Sequence, residues 1–168
     1  AGMAMLLWFT ACSQKPSETE SSSSSYDIRK EIQLTDLAGQ KIDLTQYQGK
    51  TIFLNFWATW CRPCIEEMPS IATAKKQFSE KDIVFLFASD EEAKRIESFE
   101  KKNGFGLTYV QVTNFNDLNI QALPTTYIIT ANGKLAFSET GYRKWDEATN
   151  LQLIRNIITK KWTATSTW

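Results

Sequence analysis

Residues Thr51–Cys64 read TIFLNFWATWCRPC. The first half, Thr51–Trp57, is a β-rich apolar run, the pattern of a central strand buried on both faces. The second half carries two cysteines, Cys61 and Cys64, three positions apart. A helix is expected from about Pro63 to Ser79, with Ile65, Met68 and Ala72, and the set Ile71, Ala74 and Phe78, at helical spacing. Pro69 lies inside it and should kink it. The cysteines therefore fall between a buried strand and a helix start. Cys61 at or before the N-cap would meet unpaired N–H groups and the positive end of the helix dipole, both of which stabilise a thiolate. A cysteine so placed has a lowered pKa, and the thiolate is the attacking species. We expect Cys61 to be the exposed, reactive thiol and Cys64 to lie one turn inside. Pro63 suits a first-turn position, where its missing N–H costs nothing, and it stiffens the ring that the two cysteines can close.

Other uses of the pair are weaker. A structural zinc site needs about four ligands, yet the chain has no histidine and one further cysteine, Cys12. A c-type haem site needs His after the second Cys, where Ile65 stands. A purely structural bridge remains open, although one that spans two residues restrains little chain entropy. Redox chemistry needs no metal and no bound cofactor, and we expect none.

Outward from this segment, strands alternate with helices. Ile32, Leu34 and Leu37, a turn at Ala38-Gly39-Gln40, then Ile42 and Leu44 predict a β-hairpin. Ile83–Ala88 is a second buried strand. Ser89 and Glu92 have capping-box spacing for a helix that ends at Asn103-Gly104. A strand over Leu107–Val112 precedes a loop or short helix at Asn114–Gln121. Thr125–Ile129 and Lys134–Ser138 form strands joined at Ala131-Asn132-Gly133. An amphipathic helix is predicted over Trp145–Trp162, with Leu151, Ile154, Ile157 and Ile158 inward. The order predicts an α/β sandwich around a mixed sheet.

Leu54–Cys64 (LNFWATWCRPC), with Leu123-Pro124-Thr125-Thr126 downstream, resembles the thioredoxin superfamily, and within it the TlpA/ResA-type branch of membrane-anchored, extracytoplasmic thiol-disulfide oxidoreductases. The resemblance runs from about Ile32 to Ile158. It implies a thioredoxin-like three-layer sandwich, a mixed central sheet flanked by helices, with an N-terminal β-hairpin. It implies Cys61 as nucleophile, Cys64 as resolving cysteine, Trp60 as an aromatic shield and Pro124 as a cis-proline facing the pair. Leu123 would then offer its backbone to an extended substrate by strand addition. Glu91 aligns with an acidic residue that this branch keeps near the cysteines, although an acid in a first helical turn is favourable by itself. Arg62 would be exposed and would either tune the thiolate or meet a partner. Asn55 stands where ordinary thioredoxins carry a buried Asp, which leaves the proton partner of Cys64 open. Glu66 and Glu67 favour the helix start but oppose a nearby thiolate. Trp145 and Trp162 are expected in packing rather than in the site.

The first 25 residues differ from the rest. Met3–Ala11 is an uncharged apolar run, too short for a bilayer span of about 20 residues but suited to an export signal. Phe9-Thr10-Ala11-Cys12 resembles a bacterial lipobox, which would make Cys12 a lipidated N-terminus; the alternative is an apolar remnant with a bystander cysteine. Ser13–Ser25 (SQKPSETESSSSS) has almost nothing apolar to bury and should be a flexible tether. Residues 26–168 are left as the thioredoxin-like domain.

Composition narrows function further. Nineteen Lys and Arg balance nineteen Asp and Glu, so no basic excess exists for nucleic acid. The absence of histidine removes Ser-His-Asp and Cys-His nucleophile systems. We expect an extracytoplasmic enzyme of the cell envelope, lipid-anchored and monomeric. Its expected partners are cysteine-containing exported proteins, as in cytochrome c maturation, and an upstream membrane electron donor. The alternative is a thioredoxin-fold binding module with a structural disulfide.

Overall fold

The computed structural model describes residues 26–160. The export-like run, Cys12, the Ser-rich tether and Trp162 lie outside the described residues. Seven strands, β1 (Leu34–Thr35), β2 (Lys41–Ile42), β3 (Thr51–Phe56), β4 (Ile83–Ser89), β5 (Tyr109–Val112), β6 (Thr125–Ile129) and β7 (Leu135–Thr140), form one sheet in the order β2-β1-β5-β4-β3-β6-β7. Three α-helices, α1 (Arg62–Lys75), α2 (Ala93–Asn103) and α3 (Ala148–Thr159), accompany it. The sheet is mixed. β3, β4 and β5 run parallel, and β6, β7 and the β1–β2 hairpin pair antiparallel. This is the expected α/β thioredoxin-like fold, with the N-terminal hairpin at one edge.

The β3–α1–β4 and β4–α2–β5 crossovers step the same way along the sheet. Right-handed connections therefore put α1 and α2 on one face. α3 joins them, since Met68, Ile71, Ile96 and Ile154 share one buried cluster with Phe53 and Trp57. Ile52, Leu54 and Phe56 point the other way, into a second cluster with Leu34, Leu44 and Val110. Short 3-10 turns at Ile28–Lys30, Leu44–Tyr47 and Phe115–Leu118 cover that second face. β3 is buried along its whole length, its polar Asn55 included; each buried Ile or Phe on it contributes about 1.5–3 kcal/mol.

The boundaries depart from the sequence reading where tertiary contacts outweigh local pattern. α1 stops at Lys75 rather than Ser79, and Phe78 packs beyond it against Phe85, with ring centroids 6.3 Å apart. The helix runs through Pro69. Its buried stripe is Cys64, Glu67, Met68, Ser70, Ile71 and Ala74; Ile65 and Ala72 are only half-buried. The capping box does not form. Ser89 remains on β4, and α2 begins after Glu92, which makes no side-chain cap bond. The helix ends as expected at Gly104, whose φ of +60° suits a residue without Cβ. The last helix starts at Ala148, not at Trp145. Trp145 is buried, edge-on to Phe53 at 4.7 Å, and its N–H donates to Ser70 Oγ at 3.1 Å. Those contacts hold it out of the helix.

Candidate active site

The loop that leaves β3 is anchored at both ends. Trp57 N–H donates to the Ala88 carbonyl, and the Trp57 ring packs against Phe99 and Tyr109 at 4.7 and 5.2 Å. A turn then closes from Cys61 N–H to the Ala58 carbonyl at 3.1 Å. Cys61 is the N-cap of α1 in extended conformation, and its Sγ accepts the Cys64 N–H at 3.3 Å. An N-cap acceptor is usually the oxygen of Ser, Thr, Asp or Asn. Here a sulfur takes that place, so the donor that caps the helix is the donor available to a Cys61 thiolate. Cys61 and Cys64 form a disulfide with Cα atoms 5.3 Å apart. Pro63 lies in the first turn, as its chemistry favours.

The structure corrects the expected exposure of Cys61. It is only 4% exposed, against 0% for Cys64, because the bridge and the N-cap bond turn its sulfur toward the helix. Trp60 and Arg62 are instead the exposed members of the motif. Trp60 is 71% exposed. The Arg62 side chain stands in solvent beside Glu66, with Nε 2.7 Å from Oε1.

Glu91 is brought to the loop from the far end of β4. Its two oxygens accept the Thr59 N–H at 2.6 Å and the Thr59 hydroxyl at 2.7 Å; Ser89 Oγ and Arg95 Nη1 also donate to it. Burial pushes its carboxyl up, but these hydrogen bonds outweigh burial and hold it below its ordinary value. Glu91 therefore clamps the residue two before Cys61 and is not in the first turn of α2. This clamp also displaces the helix start from Ser89.

The Leu123–Pro124 bond is cis. Pairing of Phe56 with Thr125 puts Pro124 at the same end of the sheet from which the cysteine loop departs. Among the described residues no hydrogen bond engages the Leu123 backbone, so its N–H and C=O are free to pair with an added strand.

Sequence reading missed Glu67. It follows Cys64 by one helical turn and is completely buried, whereas its neighbour Glu66 faces solvent. Glu67 Oε1 accepts from Asn55 Nδ2 at 2.7 Å and Oε2 from Arg143 N–H at 3.1 Å. Asn55 Nδ2 also reaches Thr126 Oγ1 at 2.9 Å. Burial pushes Glu67 up to about 7, and the Arg143 and Asn55 donors only partly offset it. The Trp145 indole, whose buried N–H makes no full hydrogen bond, adds a weaker pull toward the carboxylate. Two signals pointed here. A polar Asn55 inside TIFLNFW needs a buried partner, and Cys64, Glu67, Ile71 and Ala74 share one helical stripe. Among the described residues no group of three His, Cys, Asp or Glu side chains could hold a metal ion, and no helix is long and apolar enough to cross a membrane.

Residues 27–138 match the AhpC/TSA family. The thiol-disulfide oxidoreductase ResA of Geobacillus thermodenitrificans is 39% identical over 114 residues, which are 64% of this chain and 64% of that protein. The ResA of Bacillus subtilis is 35% identical over 112 residues, 64% and 63% of the two chains. The match thus spans less than two thirds of these relatives' length. The crystal structure of a thiol:disulfide interchange protein of the thioredoxin family from Chlorobium tepidum superposes with a TM-score of 0.61 at 21% identity, covering 74% of this chain and 90% of that one, a likeness of fold.

Proposed function

The chain belongs to the AhpC/TSA family, and from that premise we propose that it is a thiol–disulfide oxidoreductase working through Cys61 and Cys64. The observation that carries this reading is the Cys61 sulfur acting as N-cap acceptor for the Cys64 N–H, one turn from a buried acid. In the reduced form, the Cys61 thiolate attacks one sulfur of a substrate disulfide and expels the other as a thiolate. Cys64 then loses its proton and attacks Cys61 Sγ. The substrate leaves as a dithiol, and two electrons have passed from the protein to it. Glu67 titrates near neutrality and sits one turn beyond Cys64, which suits it to take the Cys64 proton. It fills the gap left by Asn55 at the position where thioredoxins carry an Asp. Leu123 offers its free backbone to the substrate strand beside cis-Pro124.

The reading extends to location and partners. Substrates are exported proteins with cysteines, as in cytochrome c maturation, and a membrane electron donor restores the dithiol. Lipidation at Cys12 would keep the domain at the outer face of a membrane; Cys12→Ser should release it to the soluble fraction, and unchanged membrane association would refute the anchor.

The activity is tested by trapping. Cys64→Ser should accumulate mixed disulfides with a disulfide-bonded protein, and Cys61→Ser should not. A native bridge that resists dithiothreitol, or the reverse trapping pattern, would sink the assignment.

A further inference from the structure

Residues 141–147 connect β7 to α3 and are fastened to the site through alternate amides. Gly141 N–H donates to the Pro124 carbonyl at 2.8 Å, Arg143 N–H to Glu67 Oε2 at 3.1 Å, and Trp145 N–H to Ser70 Oγ at 3.1 Å. A spacing of two is that of extended chain. Between the bend at Gly141 and the turn that ends at Glu147 the segment thus runs extended past α1, with one end at the cis-proline and its middle on the buried acid. Gly141 adopts φ +109°, which a residue with Cβ would find strained.

The Arg143 side chain fixes the middle of this clasp. Its guanidinium donates to Glu139 on β7 and, at 2.5 Å, to Asn150 Oδ1 on α3. It also lies 5.3 Å from the centre of the Phe137 ring and 5.5 Å from that of Trp145. One side chain is therefore locked to both elements that the segment joins. The two-pronged, planar donor geometry of Arg is what makes such a lock possible. The guanidinium does not touch Glu67; the backbone N–H of the same residue does.

Glu67 depends on that N–H. Oε1 is supplied by Asn55, and Oε2 has the Arg143 amide as its donor. A buried carboxylate deprived of a donor loses the full benefit of that bond, because no water replaces it. The groups that face Glu67 are Cys64 on its own helix, Asn55 from β3, and Arg143 and Trp145 from the clasp. Of these, only a reduced Cys64 can add negative charge.

We propose that Arg143 is a positioning residue for thiol–disulfide exchange, holding its own backbone N–H against Glu67 through a side chain locked between β7 and α3, and so setting the pH at which Glu67 exchanges a proton beside Cys64. The proposal rests on the exchange activity proposed above and names a residue that controls it.

The test reads Glu67 directly. The side-chain carboxyl carbon is followed by NMR against pH in the full chain, with Glu67→Gln as the assignment control. Arg143→Ala should move the Glu67 midpoint upward by about half to one pH unit, and the pH profile of exchange with a disulfide-bonded protein should move with it. Arg143→Lys keeps the charge but loses the fork, and should show the same upward shift. A Lys variant that restores the parent midpoint would replace positioning by simple charge and overturn the proposal. An unchanged midpoint in a folded Arg143→Ala would also overturn it. Should that variant fail to fold, Asn150→Ala removes one anchor of the guanidinium and should give a smaller shift in the same direction; no shift there would be decisive against us. Loss of the exchange reading is separately visible, because the parent chain would then exchange no disulfide while the carboxyl titration could still be measured.

Discussion

Two glutamates flank the cysteine pair and are driven in opposite directions. Glu67 is wholly buried and Glu91 half-buried, so burial already separates them. Donors widen the gap. Glu91 collects an amide and a hydroxyl from Thr59, a hydroxyl from Ser89 and a guanidinium from Arg95. Glu67 has one amide N–H, one side-chain amide and no cation. The first is held ionised and serves as a clamp; the second keeps a proton up to about pH 7 and can trade it. Carboxyls whose environments pull their pKa values apart are a common way to divide acid-base labour from structural labour.

The largest effect tests whether either acid has chemistry to serve. Cys61→Ser should abolish disulfide exchange, measured as reduction of a disulfide-bonded protein, because it removes the attacking sulfur. Next comes Glu67. Its folded pKa is raised from 4.5 to about 7, so its contribution to stability is complete below pH 4.5 and is lost as pH rises through 7. The size is roughly 3 kcal/mol. Glu67→Gln should remove that slope in denaturant unfolding and be more stable than the parent at alkaline pH; a slope that persists would show that Glu67 is not the titrating group. Glu91 has the opposite sign. Its folded pKa is depressed, so its stabilisation is present above the unfolded value of 4.5 and fades as pH falls through the folded one. Glu91→Gln should cost about 1–2 kcal/mol at neutral pH, with Thr59→Val losing part of the same amount. If Glu91→Gln were neutral there, the clamp would carry no energy. The smallest effect lies outside the contrast. Arg62→Ala breaks a fully solvated pair with Glu66, and thermal unfolding should not register it.

Much of the architecture was legible beforehand. The apolar run at Thr51–Trp57 has the pattern of a buried strand and is one, and the cysteine pair that follows falls at the helix start expected there. The Ala131-Asn132-Gly133 turn and the Asn103-Gly104 stop follow from local backbone chemistry that needs no neighbour. The misplaced boundaries have the opposite origin. Ser89 has good cap spacing, but its hydroxyl bonds Glu91, whose carboxylate is held by Thr59, 32 residues earlier in the chain. Trp145 fits a helical pattern, but a hydroxyl on α1 and the ring of Phe53 claim it first.

The same division runs through the site. By itself the sequence singled out the two sulfurs proposed for redox chemistry, since sulfur at this spacing before a helix is a local property of a few consecutive residues. The Leu123-Pro124 step was singled out only by the resemblance to the thioredoxin superfamily, and its cis bond is seen only in the structure. The sequence did not determine which of Glu66, Glu67, Glu91 and Glu92 would be buried or ionised. A carboxyl's charge depends on the donors delivered to it, and those of Glu67 come from Asn55, 12 residues before it, and Arg143, 76 residues after it. Only the closed tertiary structure puts such partners within 3 Å or so of one another, where a hydrogen bond in a dry interior outweighs the preference of the charge for water.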